Sequence, residues 1–357
     1  MGSVFGKKIK ISLFGESHGE ALGVVLDNFP AGIKLDYDEI KRESERRRPG
    51  GAYSTKRQES DDFEILSGVL NGITTGAPLC AIIRNENTRS KDYSKFMDIP
   101  RPSHSDYPAF VKFSGFNDIR GGGHFSARVT APLVFAGAVA KQALKKENIF
   151  IASHIYKIKD CCDTPFSLTE NNGYEQIAFK DFPVIDDLKG NEMKKIIDNA
   201  RGNLDSVGGI IECGIYNFPV GIGDPFFDSI ESVISHIMFS VPAVKGIEFG
   251  SGFGVCEKFG SENNDCYEEK DGKIVTKTNN AGGICGGIST GMPIIFRAAF
   301  KPTPSIYKKQ NTLNIKTNEQ TDLEIEGRHD PCVAVRAVPV TEAAAAIAAL
   351  QLLYDNR

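Results

Sequence analysis

The sequence predicts an α+β fold made of two similar halves, and two observations support this prediction. Segments with the pattern of β-strands are interspersed with helical segments along the chain. Short motifs from the first half also return in the same order in the second half. The 357 residues, of which 41% are hydrophobic and 25% charged, can bury a sizeable core without disulfides or metals. We therefore expect one domain over residues 1–357.

The first half is predicted to contain three strands and two helices. The strands are residues 9–14, 22–27 and 79–84, and the helices are residues 37–48 and 129–147. Asp36 and Glu39 form a D-x-x-E signal that begins the first helix, and Gly50-Gly51 ends it. The second helix is so rich in alanine that only close packing would bury it usefully.

The second half is predicted to follow a similar order. Its strands are residues 210–216 and 294–300, and its helices are residues 227–239 and 341–354. Residues 149–199 show no counterpart in the first half. We therefore interpret them as an insertion that joins a first half at 1–148 to a second half at 200–357.

Four pairs of motifs carry the internal repeat. The pairs are N-F-P-A-G-I at 28–33 with N-F-P-V-G-I at 217–222, G-I-T-T-G-A-P at 72–78 with G-I-S-T-G-M-P at 287–293, His124 and Arg128 with His329 and Arg336, and Pro132 with Pro339 at the start of an alanine-rich helix. Four matches in register favour duplication over chance. Two such halves would pair about a pseudo-twofold axis, with a ligand site in the cleft between them.

Composition and motifs argue against several classes of protein. A net charge of −4 gives no basic excess, so neither nucleic acid nor an anionic membrane is expected as a partner. The longest apolar run, residues 131–140, is half the length of a membrane span. The eight cysteines include no C-x-x-C pair, and the chain has neither G-x-G-x-x-G nor a P-loop. Without a signal-peptide pattern, we expect a cytoplasmic protein with reduced thiols and no metal.

The motif G-E-S-H-G at residues 15–19 allows two interpretations. It matches the G-x-S-x-G elbow of serine hydrolases, which would make Ser17 a nucleophile. That elbow requires a helix after the turn, whereas residues 22–27 are predicted as a strand. A glycine-bounded hairpin turn explains the glycines, but it leaves Glu16 and His18 on one turn unexplained.

Arginines and histidines in loops indicate a site for a small anion. Five cations lie in Gly- and Pro-bounded loops, where such side chains usually bind carboxylate or phosphate: Arg101, Arg128, Lys301, Arg328 and Arg336. Arg46, Arg47 and Arg48 end the first helix, and a solvated helix end is the alternative interpretation there. His18 and His104 lie in polar loops and are candidates for proton transfer. His154 and His236 are expected to pack, and His124 and His329 are ambiguous.

Two glycine-dense loops, residues 121–123 and 280–287, are either tight turns or places where the backbone closely approaches a flat ligand or a phosphate. An acidic protein with arginines and such loops is expected to bind a polyanionic small molecule.

Four motifs together resemble one known family. G-E-S-H-G at 15–19, R-P-S-H-S-D-Y-P at 101–108, K-P-T-P-S at 301–305 and G-R-H-D-P-C at 327–332 are similar to the motifs of chorismate synthases, and the resemblance extends over about residues 6–353. It implies a β-α-β sandwich of two pseudo-symmetric halves, a homotetramer and reduced FMN as cofactor. It also implies the reaction, the anti-1,4-elimination of phosphate from 5-enolpyruvylshikimate 3-phosphate to give chorismate without net redox change.

Carried onto this sequence, the resemblance implies roles for individual residues. His18 would protonate the departing phosphate, His104 would stabilise the anionic reduced flavin near N1, and Asp330 would accept the C6 proton through flavin N5. The substrate's anionic groups would be bound by Arg47, Arg48, Arg101, Arg128 and Arg336. The flavin would contact His124, Phe125, Ser126, Pro242, Ala243, Gly286, Lys301, Pro302, Thr303, Pro304, Ser305 and Arg328.

The chain departs from the family pattern at two places. His124 and Phe125 stand where many members carry Arg and Ser, which affects the contacts to the flavin phosphate. Ala52 or Tyr53 stands where many members carry a further Arg, which weakens an NADPH site in that loop. We therefore expect no flavin reductase activity of its own. A serine hydrolase and a non-catalytic flavin-binding protein are the remaining alternatives.

Overall fold

The computed structural model describes residues 2–49, 60–86, 96–169, 173–325 and 330–356. Two five-stranded sheets, in which every neighbouring pair of strands is antiparallel, enclose a layer of helices between them. The main hydrophobic core fills the space where helices and sheets meet. The predicted α+β class and the β-α-β sandwich are therefore confirmed.

The first sheet has the strand order β1-β2-β3-β7-β4. Its strands are β1 (Val4–Phe5), β2 (Lys10–Gly15), β3 (Ala21–Asp27), β4 (Phe63–Ser67) and β7 (Leu79–Arg84). A short hairpin, β5 (Val69–Leu70) with β6 (Ile73–Thr74), lies between β4 and β7 in the chain.

The second sheet has the strand order β11-β16-β10-β8-β9. Its strands are β8 (Phe150–Ile158), β9 (Cys161–Cys162), β10 (Gly209–Tyr216), β11 (Val244–Phe249) and β16 (Ile294–Phe300). Three hairpins complete the strands: β12 (Tyr267–Lys270) with β13 (Lys273–Thr276), β14 (Ile284–Cys285) with β15 (Ile288–Ser289), and β17 (Gln310–Asn314) with β18 (Glu319–Leu323).

The helices have these bounds: α1 (Tyr37–Arg47), α2 (Asp106–Lys112), α3 (Thr130–Lys146), α4 (Asp187–Gly202), α5 (Ile230–Met238), α6 (Gly260–Asn263) and α7 (Ala334–Asp355). Short 3₁₀ segments add Arg120–Phe125, Ala127–Val129, Tyr174–Phe179, Phe226–Asp228 and Gly252–Glu257.

The alanine-rich helices α3 and α7 form the centre of the helical layer. They pack extensively on each other, α3 also contacts the first sheet, and α7 contacts β8 and β10 of the second. At their closest approach, a β-carbon on Gly137 would lie 2.2 Å from the β-carbon of Ala343. The small side chains thus allow the two backbones to approach closely, which is the close packing that the alanine content predicted.

The observed helix bounds follow the predictions where a capping signal is present. The carboxylate of Asp36 accepts from the amides of Asp38 and Glu39, both at 3.0 Å, and α1 begins one residue later, as predicted. The predicted start at residue 227 is wrong, because Ser229 caps α5 and the three residues before it form a 3₁₀ turn. The predicted start at residue 341 is also wrong, because α7 begins at Ala334 and continues through Pro339.

Matching hydrogen bonds in the two halves support the proposed repeat. The Thr74 hydroxyl accepts from the Ile33 amide at 2.9 Å and donates to the Pro30 carbonyl at 2.7 Å. In the second half, the Ser289 hydroxyl accepts from Ile222 at 2.9 Å and donates to Pro219. Asn28 and Asn217 open the two N-F-P turns, each with φ of 60°. Duplication therefore stays our proposal, now with a geometric basis.

The segment interpreted as an insertion contributes more than a connection. Its strand β8 pairs with β10 along its length and so belongs to the centre of the second sheet. The order β8-β10-β16-β11 has the same arrangement as β2-β3-β7-β4 in the first sheet. If the halves arose by duplication, as we propose, β8 corresponds to β2, and the part of residues 149–199 without a counterpart begins after β8.

Candidate active site

One large cavity, of about 1010 Å³, is lined by segments from both halves. Its walls come from the C-terminal end of α1, the loop before α2, the turn after α5, the loop after β16 and the start of α7. The residues predicted for the site that line this cavity are Arg47, Arg101, His104, His124, Phe125, Ser126, Arg128, Pro242, Ala243, Lys301, Thr303, Pro304, Ser305, Asp330 and Arg336.

Two arginines of the cavity share one buried carboxylate. Arg47 donates from Nε to Oδ2 of Asp61 at 2.9 Å and also from a terminal nitrogen, and Arg128 donates to Oδ1 of Asp61. Nε of Arg128 also donates to Asn85 at 3.2 Å. Burial opposes the charged form of Asp61, but the two arginines outweigh it and hold its pKa below the ordinary value. The pair of arginines is therefore oriented before any ligand enters.

Arg336 is the third guanidinium at the same wall. Its Nε donates to the backbone carbonyl of Arg47 at 2.9 Å, and a terminal nitrogen donates to Asp330 at 2.7 Å. Burial, with Arg336 and Arg128 nearby, lowers the pKa of Arg47 to about 10, although Asp61 acts in the opposite direction. Three guanidinium groups close together with two carboxylates leave an excess of positive charge that suits an anion.

The sequence of α1 explains why Arg47 points into the protein. Ile40, Glu43, Ser44 and Arg47 are its buried residues, and this spacing puts them on one helical face. The interpretation of a solvated helix end is thus wrong for Arg47.

It is also wrong for Arg46, the preceding residue. Arg46 donates to both oxygens of Glu342 on α7, at 2.7 and 2.8 Å, and to Glu43 at 2.8 Å. Lys141 of α3 joins the same carboxylates. Burial opposes the ionised form of Glu342, but Arg46 and Lys141 hold its pKa well below the ordinary value. This network fixes the C-terminal end of α1, from which Arg47 projects.

His104 is oriented by a neighbouring carboxylate. Its Nδ1 lies 2.6 Å from Oδ1 of Asp106, which also accepts from Arg101 at 2.7 Å and 2.8 Å. A hydrogen on Nδ1 bonded to Asp106 leaves Nε2 as the reactive nitrogen. Burial, with Arg101 and Lys301 nearby, lowers the pKa of His104, although Asp106 acts the other way. In the absence of an anion, the neutral imidazole is therefore favoured.

The rings of the two candidate histidines lie against neighbouring residues of the glycine run at 121–123. All three glycines have positive φ, between 53° and 84°. A β-carbon on Gly121 would lie 2.6 Å from the His18 ring, and one on Gly122 would lie 3.6 Å from the His104 ring. His18 is buried and lies behind Gly121, which lines the cavity. At Gly121 a side chain would be too close to His18, and the positive φ of all three residues favours glycine.

His124, which departs from the family pattern, is engaged by the protein at both ring nitrogens. Nδ1 donates to the Gly15 carbonyl at 2.8 Å, and Nε2 lies 3.1 Å from the Ser3 hydroxyl. Because a carbonyl only accepts, Nε2 of the neutral ring is the acceptor from Ser3. His124 therefore ties the N-terminal segment to the cavity wall. The next residue, Phe125, exposes 39% of its surface at the cavity, and the Ser126 hydroxyl accepts from the Arg128 amide.

The second half supplies the facing wall. Ala243 has φ of 74°, which is uncommon for a residue with a β-carbon, and its carbonyl accepts from the Lys301 amide at 2.9 Å. The Lys301 ammonium donates to the Ser103 carbonyl at 2.6 Å, beside His104. Burial and the nearby Lys245 lower the pKa of Lys301. A strained backbone position thus coincides with a predicted contact to the cofactor.

Four predicted site residues do not line the cavity. His18 lies behind Gly121, Arg48 is the exposed C-cap of α1, Pro302 is exposed beside Gly208, and Gly286 lies in the turn of the β14–β15 hairpin. Arg328, His329, Ala52 and Tyr53 lie outside the described residues.

Several residues at the cavity were missed by the motif analysis. They are Lys112, Phe113, His236 and Lys245, together with Asp61, which lies behind the wall and bonds to Arg47. Asp61 lies next to Asp62 in a polar stretch without a recognisable spacing, and His236 lies on the apolar helix α5. The positions of both residues relative to the cavity depend on contacts between segments distant in sequence, which a local sequence pattern does not indicate.

A sandwich scaffold with arginines, histidines and an aspartate around one large cavity is the arrangement of an enzyme that acts on a small molecule. A family model described as chorismate synthase matches residues 9–354. The chain therefore belongs to the chorismate synthase family and is a lyase.

Individual relatives agree with this placement. A chorismate synthase of Lancefieldella parvula is 45% identical, with 99% of this chain and 97% of the relative covered. One of Thermococcus kodakarensis is 44% identical, with 99% and 98% covered. A solved structure described as the crystal structure of chorismate synthase superposes with a TM-score of 0.77 at 28% identity, covering 98% of this chain and 93% of that one.

The structure does not support the serine hydrolase alternative. Ser17 is fully buried on the turn between the antiparallel strands β2 and β3. The helix required after a nucleophile elbow is therefore absent at this described position.

Helix α7 is long and apolar enough, by length and composition, to cross a membrane, but 94% of its most apolar stretch is buried inside the protein.

Proposed function

We propose that this chain catalyses the anti-1,4-elimination of phosphate from 5-enolpyruvylshikimate 3-phosphate to give chorismate, the last step of the shikimate pathway, which feeds aromatic amino acid synthesis. The observation that carries the proposal is the convergence of Arg47, Arg101, Arg128 and Arg336 on one cavity beside His104 and Asp330. The substrate carries two carboxylates and a phosphate, and paired guanidinium groups suit such anions.

The residues present fit reduced FMN as the second ligand. A cavity of about 1010 Å³ is at the upper end of the range for ligand sites, so it has room for a flavin beside a small substrate. The glycine run, the half-exposed ring of Phe125 and the backbone at Pro242 and Ala243 offer surfaces for a flat ring, and Lys301 offers a cation. When bound, reduced FMN would lend electron density to the substrate and regain it, so that no net redox change occurs.

His18 and Asp330 are proposed to move the two protons of the reaction. His18, held against Gly121, would donate to the departing phosphate. Asp330 would accept the proton that leaves C6. Two hydrogen bonds keep Asp330 in place. Arg336 donates to its carboxylate, and the Thr303 hydroxyl donates to its backbone carbonyl at 2.9 Å. Fixed acids and bases of this kind typically contribute about a hundredfold or more.

His104 is proposed to stabilise negative charge on the reduced cofactor. Asp106 holds the hydrogen of Nδ1, so Nε2 can take up a proton and present it to an anion. An anionic partner would raise the pKa that burial and the neighbouring cations lower in its absence.

The wider setting is also part of the proposal. We infer a cytoplasmic homotetramer with no nucleic acid, membrane or metal partner. The support is the likeness to chorismate synthases over nearly the full length, together with a net charge of −4.

The test is an anaerobic assay with the purified protein. Chemically reduced FMN and 5-enolpyruvylshikimate 3-phosphate should give chorismate and inorganic phosphate in equal amounts. Oxidised FMN without reductant is the control and should give neither product. Phosphate release without chorismate, or no reaction with reduced FMN, would refute the proposal.

A further inference from the structure

Asp61 is a buried carboxylate behind the cavity wall, bonded to two arginines that line the cavity, and neither the motifs nor the family resemblance gave it a role. Its side chain is 2% exposed and lies just before β4. Its two oxygens contact different arginines, Oδ2 with Arg47 and Oδ1 with Arg128. Both arginines line the cavity, so this ion pair reaches the site itself.

The arrangement places like charges close together. Arg336 donates to the backbone carbonyl of Arg47, and the charges of Arg336 and Arg128 both act on Arg47. Buried guanidinium groups repel one another, and a carboxylate between them offsets this repulsion. Asp330 pairs with Arg336, and Asp61 is a counter-charge that contacts both Arg47 and Arg128.

These hydrogen bonds also fix the orientation of the two guanidinium groups. Arg47 meets Asp61 through Nε and one terminal nitrogen, which fixes the plane of its guanidinium. Arg128 is held from two sides, because Nε donates to Asn85 while a terminal nitrogen donates to Asp61. A planar guanidinium fixed in this way presents donors along set directions.

We propose that Asp61 is a positioning residue for the anion site: it orients Arg47 and Arg128 so that an anionic group of the substrate binds without rearrangement of the wall. The identity of that substrate rests on the proposed function. The assignment of Asp61 rests on the contacts alone.

The test compares Asp61→Asn with Asp62→Asn. The adjacent Asp62 is exposed, so its variant is a matched control for loss of one carboxylate. Asp61→Asn should lower kcat/KM for 5-enolpyruvylshikimate 3-phosphate at least about thirtyfold, mainly through a higher KM, since it leaves buried charges unpaired. Binding of inorganic phosphate, measured by calorimetry, should weaken in parallel. Asp62→Asn should match the wild type in both measurements.

A fold-stabilising role gives a different result. If Asp61→Asn keeps the wild-type KM and phosphate affinity while its thermal midpoint falls, Asp61 only stabilises the fold and the inference is overturned. If Asp61→Asn does not fold, Asp61→Glu distinguishes the two roles, because this variant keeps the charge but moves the carboxylate by one methylene. Positioning predicts a folded enzyme with kcat/KM lowered at least about tenfold, whereas normal kcat/KM overturns the inference.

The two proposals fail in separable ways. If the wild type forms no chorismate, the proposed reaction fails, but phosphate calorimetry still compares Asp61→Asn with Asp62→Asn. If the wild type is active and Asp61→Asn equals it in KM and in phosphate affinity, only the inference about Asp61 fails.

Discussion

Each arginine named at the cavity wall is bonded to a carboxylate that is largely buried. Arg47 and Arg128 share Asp61, Arg101 bonds to Asp106, and Arg336 bonds to Asp330. Such pairs keep guanidinium groups in place without a ligand, which lowers the reorganisation needed on binding. The site is therefore largely formed in advance.

The first prediction at this scale concerns the two histidines. His18→Ala and His104→Ala should each lower turnover about a hundredfold or more, because the first removes the proposed acid and the second the group proposed to stabilise the anionic cofactor. Steady-state phosphate release measures this. His18 is buried within its polar loop, so thermal unfolding of each variant is needed as a control. A well-folded variant with near-normal turnover would show that the residue has another role.

The second prediction concerns Asp330. Asp330→Asn keeps size and can still accept a hydrogen bond from Arg336, but it cannot take up the C6 proton. We expect nearly normal binding of substrate and reduced FMN, slow turnover, and a larger isotope effect for deuterium at C6. The matched control is Asp205→Asn, which removes an exposed ion pair with Lys308 and should leave turnover unchanged. Loss of ligand affinity with normal turnover of bound enzyme would indicate a structural role.

Residue types and spacing indicated the loops with His104, Arg128 and Arg336, because chemistry-bearing side chains cluster there between Gly and Pro. The proposed role of Asp330 and the proposed flavin contacts came from the family resemblance. Asp61 was missed because its function depends on contact with Arg128, which lies far away in the chain. His124 stayed ambiguous, since its two partners, Gly15 and Ser3, come from another segment.

At the scale of elements, a buried histidine links strands and a loop of the second sheet. His154 on β8 lies 2.9 Å from Asp163 through Nδ1 and 2.9 Å from Glu212 on β10 through Nε2. Glu212 also accepts from Arg297 of β16, and Arg297 lies near Glu248 of β11. Burial opposes charging of His154, but its two carboxylates outweigh it and raise its pKa.

This raised pKa gives a prediction for stability against pH. A group whose pKa is higher in the folded than in the unfolded protein stabilises the folded state. This contribution is complete at pH values below the unfolded pKa, about 6.5 for histidine. It is lost as the pH rises through the pKa of the folded state. His154→Gln should therefore lower the free energy of unfolding by about 3 kcal/mol or more at pH 6. The difference from the wild type should shrink by pH 9. Denaturant unfolding at both values measures it, and a difference independent of pH would contradict the assignment.

Elements were predictable where local signals are strong. The capping signal at Asp36 and the alanine content of α3 gave bounds within a residue or so of those observed. The start of α7 was misplaced because Pro339 normally opens a helix, whereas burial along α7 supports the helix on both sides of it. The hairpin of β17 and β18 has no apolar alternation, and its Leu323 packs with Phe96, beyond the reach of a local pattern.

At the scale of the whole molecule, the α+β class followed from the interspersed strands and helices, whereas the sandwich was implied by the family resemblance. The cavity between segments of both halves was expected, but its walls could not be listed from one sequence. The strand β8 shows why, because its membership in the second sheet depends on pairing with β10 across the intervening α4.

One prediction concerns the source of reduced flavin. The pure protein should turn over with dithionite-reduced FMN under anaerobic conditions, and not with NADPH and oxidised FMN. The reason is the missing dinucleotide fingerprint, together with Ala52 or Tyr53 in place of an arginine. Adding an unrelated flavin reductase should restore turnover with NADPH, which controls for active enzyme. Steady NADPH-driven turnover by the pure protein would contradict the prediction.

The contact between Gly137 of α3 and Ala343 of α7 has a consequence for synthesis on the ribosome. Helix α3 is made early, whereas α7 comes from near the end of the chain. Until α7 emerges, the side of α3 that faces it, around Gly137, has no native partner. Contacts so distant in sequence form slowly, and exposed apolar surface favours aggregation meanwhile. A nascent chain stalled before residue 334 should therefore associate with chaperones that bind apolar segments, and release should coincide with the appearance of α7.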